Sequence, residues 1–382
     1  MKRFLLLITA VILLCASVLS GCSCADESPL AFNNDFYGGV GSSNLPSSLT
    51  ETLDYNVKYV QEYGDIGKSD SIKDILVPEY EGTYKSILKI GDTVPQDKQK
   101  LNYKKGDGSP ETVYSLKGYL TLDVKIKDTE NYTKDNKVYK QTFKDQLYSE
   151  VYFYPSGHSF APIYSKTVLK NTYLSFSSNK VEAVQNIFQY ETVYGNGTYS
   201  QWKKQYKADK DENINDVKIF STDISAKLKL LSNGYNTYEY TNKRVIDNNQ
   251  LIFAIRNIGL SSGNSYTLPT VSPAYGEAKD LSIKNNNDMT PDLIGGLKVN
   301  NTLLKDPESN DLKVAAKNIS FVIGGTDYVG TAQYVVLQKN TTNDNLNHES
   351  ALPLKYYETL VDYNSLATIG ALEYTISSVS VI

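Results

Sequence analysis

Cysteine, histidine and tryptophan are nearly missing from this chain, and each shortage removes a class of chemistry. Among 382 residues there are three cysteines, two histidines and one tryptophan. Cys15, Cys22 and Cys24 all lie near the N-terminus, so the body that follows is cysteine-free. It therefore has no intramolecular disulfide framework, no thiolate metal site and no nucleophilic cysteine. His158 and His348 sit in polar, turn-rich stretches, Tyr154-Pro155-Ser156-Gly157-His158-Ser159 and Asn343–Ser350. Both read as solvent-facing loop residues, and a zinc centre needs several His or Cys ligands. Ser156 and Ser159 are too close in sequence to His158 for a Ser–His pair of obvious geometry.

Other absences narrow the field further. There is no Gly-x-Ser-x-Gly elbow and no phosphate-binding glycine loop, and no cofactor motif. Ser-x-x-Lys occurs three times, at Ser86/Lys89, Ser177/Lys180 and Ser200/Lys203, each without the second motif an acyl-enzyme site needs. Basic charge is not in excess: the net charge is −4. Nucleic acid is thus not an expected partner, because no basic surplus exists to displace counterions. Nothing indicates a protein partner.

Only one long apolar run is present, from Phe4 to Leu19, preceded by Lys2 and Arg3. It is shorter than the ~20 residues of a comfortable membrane span and ends in small residues, as a secretory signal does. Leu19-Ser20-Gly21-Cys22 resembles the lipobox of bacterial lipoproteins. The resemblance implies cleavage after Gly21, acylation of Cys22 with chains such as palmitate, and anchoring on the extracytoplasmic face of the cell membrane. Each buried CH₂ adds about 0.8 kcal/mol of membrane affinity. Charge does not substitute: discarding residues 1–21 with Lys2 and Arg3 leaves 37 basic against 43 acidic side chains, which anionic headgroups repel.

Residues 22–50, rich in Gly, Ser, Pro and Asn, read as a tether that buries too little to offset chain entropy. Residues 51–382 form a β-rich body, with two lobes and a break near residues 207–216 as one possible division. Period-two alternation carries this reading. Leu53, Tyr55, Val57 and Tyr59 share a face, as do Tyr114, Leu116, Leu120, Leu122, Val124 and Ile126 along 113–127. Further strands are expected at 146–154, 170–176, 187–194, 217–221, 320–323, 331–338, 352–361 and 371–381. Helix signals are few: a turn at 71–76, and a helix over Gln250–Ile258 with N-caps in Asp247-Asn248-Asn249. The fold class is mainly β, a large curved antiparallel sheet with one or two short helices.

Two segments carry a second resemblance. Val245-Ile246-Asp247, Leu251–Leu260 with Arg256, and Gly263–Pro269 form one; Leu352-Pro353-Leu354-Lys355 with Gly370–Tyr374 forms the other. They are similar to a family of uncharacterised bacterial exported proteins. That likeness implies a half-barrel-like sheet, of the kind seen in lipid-carrier lipoproteins, partly wrapped around a helix. It implies no activity.

Two weaker constellations complete the candidates. Asp209, Asp211 and Asn213 space oxygen ligands like the start of a calcium loop, but Ile214 replaces the required glycine and Phe220 the bidentate Glu. Tyr194, Tyr199 and Trp202 can stack on glycan if they share an exposed face. The sequence thus favours a membrane-anchored binder of an apolar or amphiphilic ligand or cell-envelope component. A glycan- or host-surface adhesin and a carboxylate-based envelope hydrolase are the alternatives.

Overall fold

Alternation decides the architecture. In a strand, successive side chains point to opposite faces, and here the apolar phase consistently marks one face. The computed structural model describes residues 48–61, 73–95, 98, 113–154, 160–195, 197–208, 213–220, 228–240, 245–257, 263, 265–272, 276–289, 297–299, 302–303, 316–323, 333–338, 352–365 and 367–382. Gly21, Cys22, Asp209, Asp211 and both histidines lie outside the described residues.

The first half is an antiparallel meander of β1 (Leu49–Val60), β2 (Glu79–Asp92), β3 (Val113–Lys127), β4 (Tyr139–Phe153), β5 (Pro162–Ser177), β6 (Lys180–Tyr194), β7 (Thr198–Ala208) and β8 (Leu228–Glu239). The second half holds β9 (Ile246–Asp247), helix α1 (Leu251–Asn257), β10 (Ser265–Val271) and β11 (Lys279–Met289), then the short ribbon β12 (Lys298–Val299) and β13 (Thr302–Leu303). It ends with β14 (Ala316–Ile323), β15 (Gln333–Gln338), β16 (Pro353–Val361) and β17 (Thr368–Val381). β17 returns antiparallel beside β1, so the two halves join into one continuous sheet. The sheet curls until its β9 edge meets β6 and β7. There Tyr194 donates to Asp247, and Tyr199 donates to the Gly276 carbonyl at 2.7 Å.

The inward phase builds the main core: Leu53, Tyr55 and Val57 of β1 pack with Leu122 and Val124 of β3 and with Leu372, Tyr374 and Ile376 of β17. Helix α1 runs inside the curl. Its N-terminus is fixed by a capping box in which Asp247 accepts from Asn249 N at 2.8 Å and Gln250 Oε1 accepts from Asp247 N at 3.0 Å. Leu251, Ala254 and Ile255 pack on β10, β11 and β14 through Leu268, Leu281, Ile283, Ile319 and Phe321. Phe253 reaches the opposite wall, against Tyr114, Val151, Phe153 and Phe160. A helix apolar on nearly every side belongs in an interior, and burying Phe253 alone stabilises by about 1.5–3 kcal/mol.

Past Gln146↔Lys170 the β4–β5 ladder stops, while the β5–β6 ladder continues to Ser177↔Lys180. The hairpin tip therefore leaves the sheet and arches across the interior toward the β16–β17 turn. Asp145 holds the fork open, accepting from Thr172 N at 2.8 Å, Thr172 Oγ1 at 2.6 Å and Gln185 Nε2 at 2.8 Å. At the far side Asp362 accepts from Phe176 N at 3.3 Å, and Tyr363 N donates to the Leu174 carbonyl at 2.9 Å.

Two expectations need correction. Residues 217–220 are not a strand. Val217 and Ile219 are buried against the outer face of β5 and β6, after a 3₁₀ turn at Ile214–Asp216, so their apolar character reflects docking and not a ladder. The helix is also shorter than expected at its start, because 248–250 adopt a 3₁₀ turn. The polar run Asn285–Asn287 lies within β11 at a register shift.

Candidate functional site

The curl encloses a cavity of about 550 Å³, within the ~300–1,000 Å³ range of small-molecule sites. A row of small residues lies in register across four strands, Ser86↔Gly118↔Ser149↔Thr167, and Ser86 and Ser149 of that row line the cavity. A Cβ on Gly118 would lie 2.7 Å from Ser149 Oγ and 2.8 Å from Tyr84 Oη, so glycine preserves the space there. The 3₁₀ turn before α1 is seated beside this row, with Asn249 Nδ2 donating to Thr167 Oγ1 at 3.0 Å.

One step along the strands the row becomes apolar: Tyr84↔Leu120↔Leu147↔Leu169. These leucines point inward yet remain half-buried, as do Leu116, Ile252 of α1 and Leu360 of β16. All of them line the cavity. Inward-facing leucines that keep accessible surface are the signature of a binding cavity and not of a closed core, where such side chains pack to exclusion.

Polar groups are few and placed. Glu358, on the inward phase of β16, accepts a hydrogen bond from Tyr374 Oη at 2.8 Å. Burial pushes its carboxyl above the usual carboxylate range, and the Tyr374 bond only partly offsets this. Tyr84, Tyr356 and Tyr374 surround it, with ring centroids 5.6 Å apart for Tyr84–Tyr374 and 5.0 Å for Tyr356–Tyr374. The Tyr80 hydroxyl, in a residue 7% exposed, is buried without a hydrogen-bond partner among the described residues and lines the same cavity. Burial also raises the Asp145 carboxyl, against the hydrogen bonds from Thr172 and Gln185. Lys170 is 1% exposed, and burial pushes its ammonium down to about 8. Its Nζ is held on the outer face by the carbonyls of Val217 at 2.7 Å and Asn215 at 3.1 Å.

Two smaller clefts are also present among the described residues. One, of about 400 Å³, is lined by Lys58, Glu79, Lys125 and Lys127. Burial raises the Glu79 carboxyl, but donors on Tyr132, Tyr139 and Lys137 outweigh it and hold it at about 2. The other, of about 320 Å³, lies between Lys98, Glu191, Trp202 and Lys204.

Tyr194, Tyr199 and Trp202 are not brought onto one face. Tyr194 and Tyr199 are 3% and 0% exposed, buried with Val245 and Val271. Trp202, three residues on, points to the other side of β7, half-buried and 5.0 Å from the Tyr235 ring. Asn213 caps the 214–216 turn, accepting from Asn215 N at 3.1 Å. Among the described residues no group of three or more His, Cys, Asp or Glu side chains is placed to hold a metal ion. On strands, Ser86 and Lys89, like Ser200 and Lys203, point to opposite faces, which separates both Ser-x-x-Lys pairs.

Sequence reasoning missed the cavity residues, although a signal was present. Asp145 and Glu358 occupy the apolar phase of their strands, in Phe143-x-Asp145-x-Leu147 and Tyr356-x-Glu358-x-Leu360, and Gly118 interrupts Leu116-x-Gly118-x-Leu120 in the same way. Polar or small residues in the core phase mark space or function.

No protein-family model and no curated protein sequence matches the chain. Among solved structures it is similar to the β-barrel-like protein of domain of unknown function DUF1849 from Brucella abortus. The likeness has a TM-score of 0.43 and 6% identity and covers 87% of this chain and 98% of that one.

Proposed function

We propose that the chain is a lipid-anchored extracytoplasmic protein that holds an apolar or amphiphilic ligand inside its curled sheet. The observation that carries this reading is the cavity of about 550 Å³ whose inward leucines, Leu116, Leu120, Leu147 and Leu169, keep accessible surface. Exposing such side chains to water costs about 25 cal/mol per Å², a cost an apolar ligand removes. The signal-like N-terminus and the Leu19-Ser20-Gly21-Cys22 motif support a membrane address.

Two measurements test the reading. Cys22→Ala should abolish metabolic lipid labelling and displace the protein from the membrane fraction. Persistent labelling would move the anchor to Cys24 or remove it. Native mass spectrometry of the whole chain carrying Cys22→Ala should show a co-purifying apolar mass, or uptake of an added single-chain amphiphile. A protein that carries and accepts no such mass would overturn the binding function.

A further inference from the structure

The cavity has a charge preference built into it. Its polar end is an aromatic box: Tyr55 and Tyr84 at 5.8 Å between centroids, Tyr84 and Tyr374 at 5.6 Å edge-to-face, and Tyr356 and Tyr374 at 5.0 Å. Glu358 stands among these rings and lines the cavity with them. A carboxylate offers about four acceptor positions, and the contact described for Glu358 is a single hydrogen bond, from Tyr374.

No described cation neutralises that end. Lys170 borders the cavity, but its Nζ is engaged by main-chain carbonyls on the far face of the sheet. Arg256 is spent on Glu51, with bonds of 2.6 and 2.8 Å. Asp145 adds a second carboxyl to the lining, its oxygens already taken by Thr172 and Gln185. An anionic headgroup beside Glu358 would meet like charge in a low-dielectric interior.

Resting on the cavity reading above, we propose that the ligand is an amphiphilic organic cation, an alkylammonium group seated in the Tyr55–Tyr84–Tyr356–Tyr374 box against Glu358 with its chain along Leu120, Leu147 and Leu169. Tyrosine faces attract ammonium groups through their ring quadrupoles, more strongly when desolvated. The buried Tyr80 hydroxyl, which has no partner among the described residues, supplies one further donor for a polar atom of the ligand. Burial also holds Glu358 above the usual carboxylate range, and a bound cation would relieve that cost.

The test is calorimetric titration of the whole chain carrying Cys22→Ala with decyltrimethylammonium, 1-decanol and decanoate, each below its micellar concentration. Decyltrimethylammonium should bind tightest, about tenfold or more over decanoate, with 1-decanol between. Glu358→Gln should erase most of that preference, weakening decyltrimethylammonium far more than 1-decanol. Should that variant fail to fold, Tyr356→Leu should lower the affinity for the cation more than that for 1-decanol. Decylphosphocholine distinguishes the source of the ammonium: binding as tight as decyltrimethylammonium points to a choline headgroup, and weaker binding to a free alkylamine. Equal binding of all three decyl compounds, or tighter binding of decanoate, would overturn the cation assignment and leave the cavity reading standing. Failure of all of them to bind would overturn both.

Discussion

Glu51 and Arg256 form a bidentate ion pair in the interior, 2.6 and 2.8 Å long, across 205 residues of sequence. The side chains are 1% and 3% exposed. Glu51 is on β1 and Arg256 on α1, so the pair ties the helix to the seam where the first and last strands meet. This geometry, two parallel bonds from a planar guanidinium, is the strong form of the interaction.

Breaking one side should be severe. Arg256→Met leaves Glu51 buried and unpaired and should cost about 3–5 kcal/mol, as should Glu51→Leu with Arg256 left alone. Replacing both with apolar residues should recover most of that loss. A double-mutant cycle by urea denaturation checks this, and additive losses would show that the two side chains act independently.

The hairpin tip is the second device to test. Asp362 accepts from Phe176 N and from Ser365 Oγ at 2.6 Å, and the Leu174 carbonyl takes Tyr363 N. Asp362→Ala removes the anchor and leaves the ladder intact. Hydrogen exchange at residues 172–177 should accelerate, with global stability reduced by about 1–2 kcal/mol. Unchanged exchange there would show that the tip is held by its other contacts, the Tyr363 N bond to the Leu174 carbonyl and the Asn364 Nδ2 bond to Ser175 Oγ.

How stability depends on pH follows from two opposed sets of carboxyls. Burial raises Glu358, Asp145 and Asp247 above the ordinary range. Their contribution is complete below the ordinary carboxylate value and is lost as pH rises through the raised one. Glu79, held at about 2, contributes above the ordinary value and loses that contribution as pH falls through about 2. Glu358→Gln should therefore raise the thermal midpoint at neutral pH, with the gain shrinking as pH falls toward the ordinary carboxylate range. Glu79→Gln should lower the midpoint at neutral pH, with the loss shrinking under strong acid. Thermal melts across pH read both.

Much of the sheet was legible because alternation is a local property. The range 113–127 and the inward sets on β1 and β3 match the structure residue for residue, and Asp247 is the cap the sequence suggested. What was not legible is set by contacts distant in sequence. Tyr194 and Tyr199 read as weaker candidates for an exposed stacking face with Trp202, yet the β9 edge curls over them. Val217 and Ile219 read as a strand, yet they dock on its outer face. The Glu51–Arg256 pair joins elements 205 residues apart, the box around Glu358 joins β1 and β2 to β16 and β17, and no periodicity reports such a meeting.

The central claim is that the space between Leu120, Leu147 and β16 is where ligand sits. Leu147→Trp fills that space from a half-buried position and should leave the fold intact. Native mass spectrometry with an added single-chain amphiphile, on otherwise identical Cys22→Ala chains with and without Leu147→Trp, tests this most directly. A bound mass is expected on the chain with Leu147, with at least about a tenfold loss on the chain with Trp. Equal occupancy of both chains, or of neither, would contradict it.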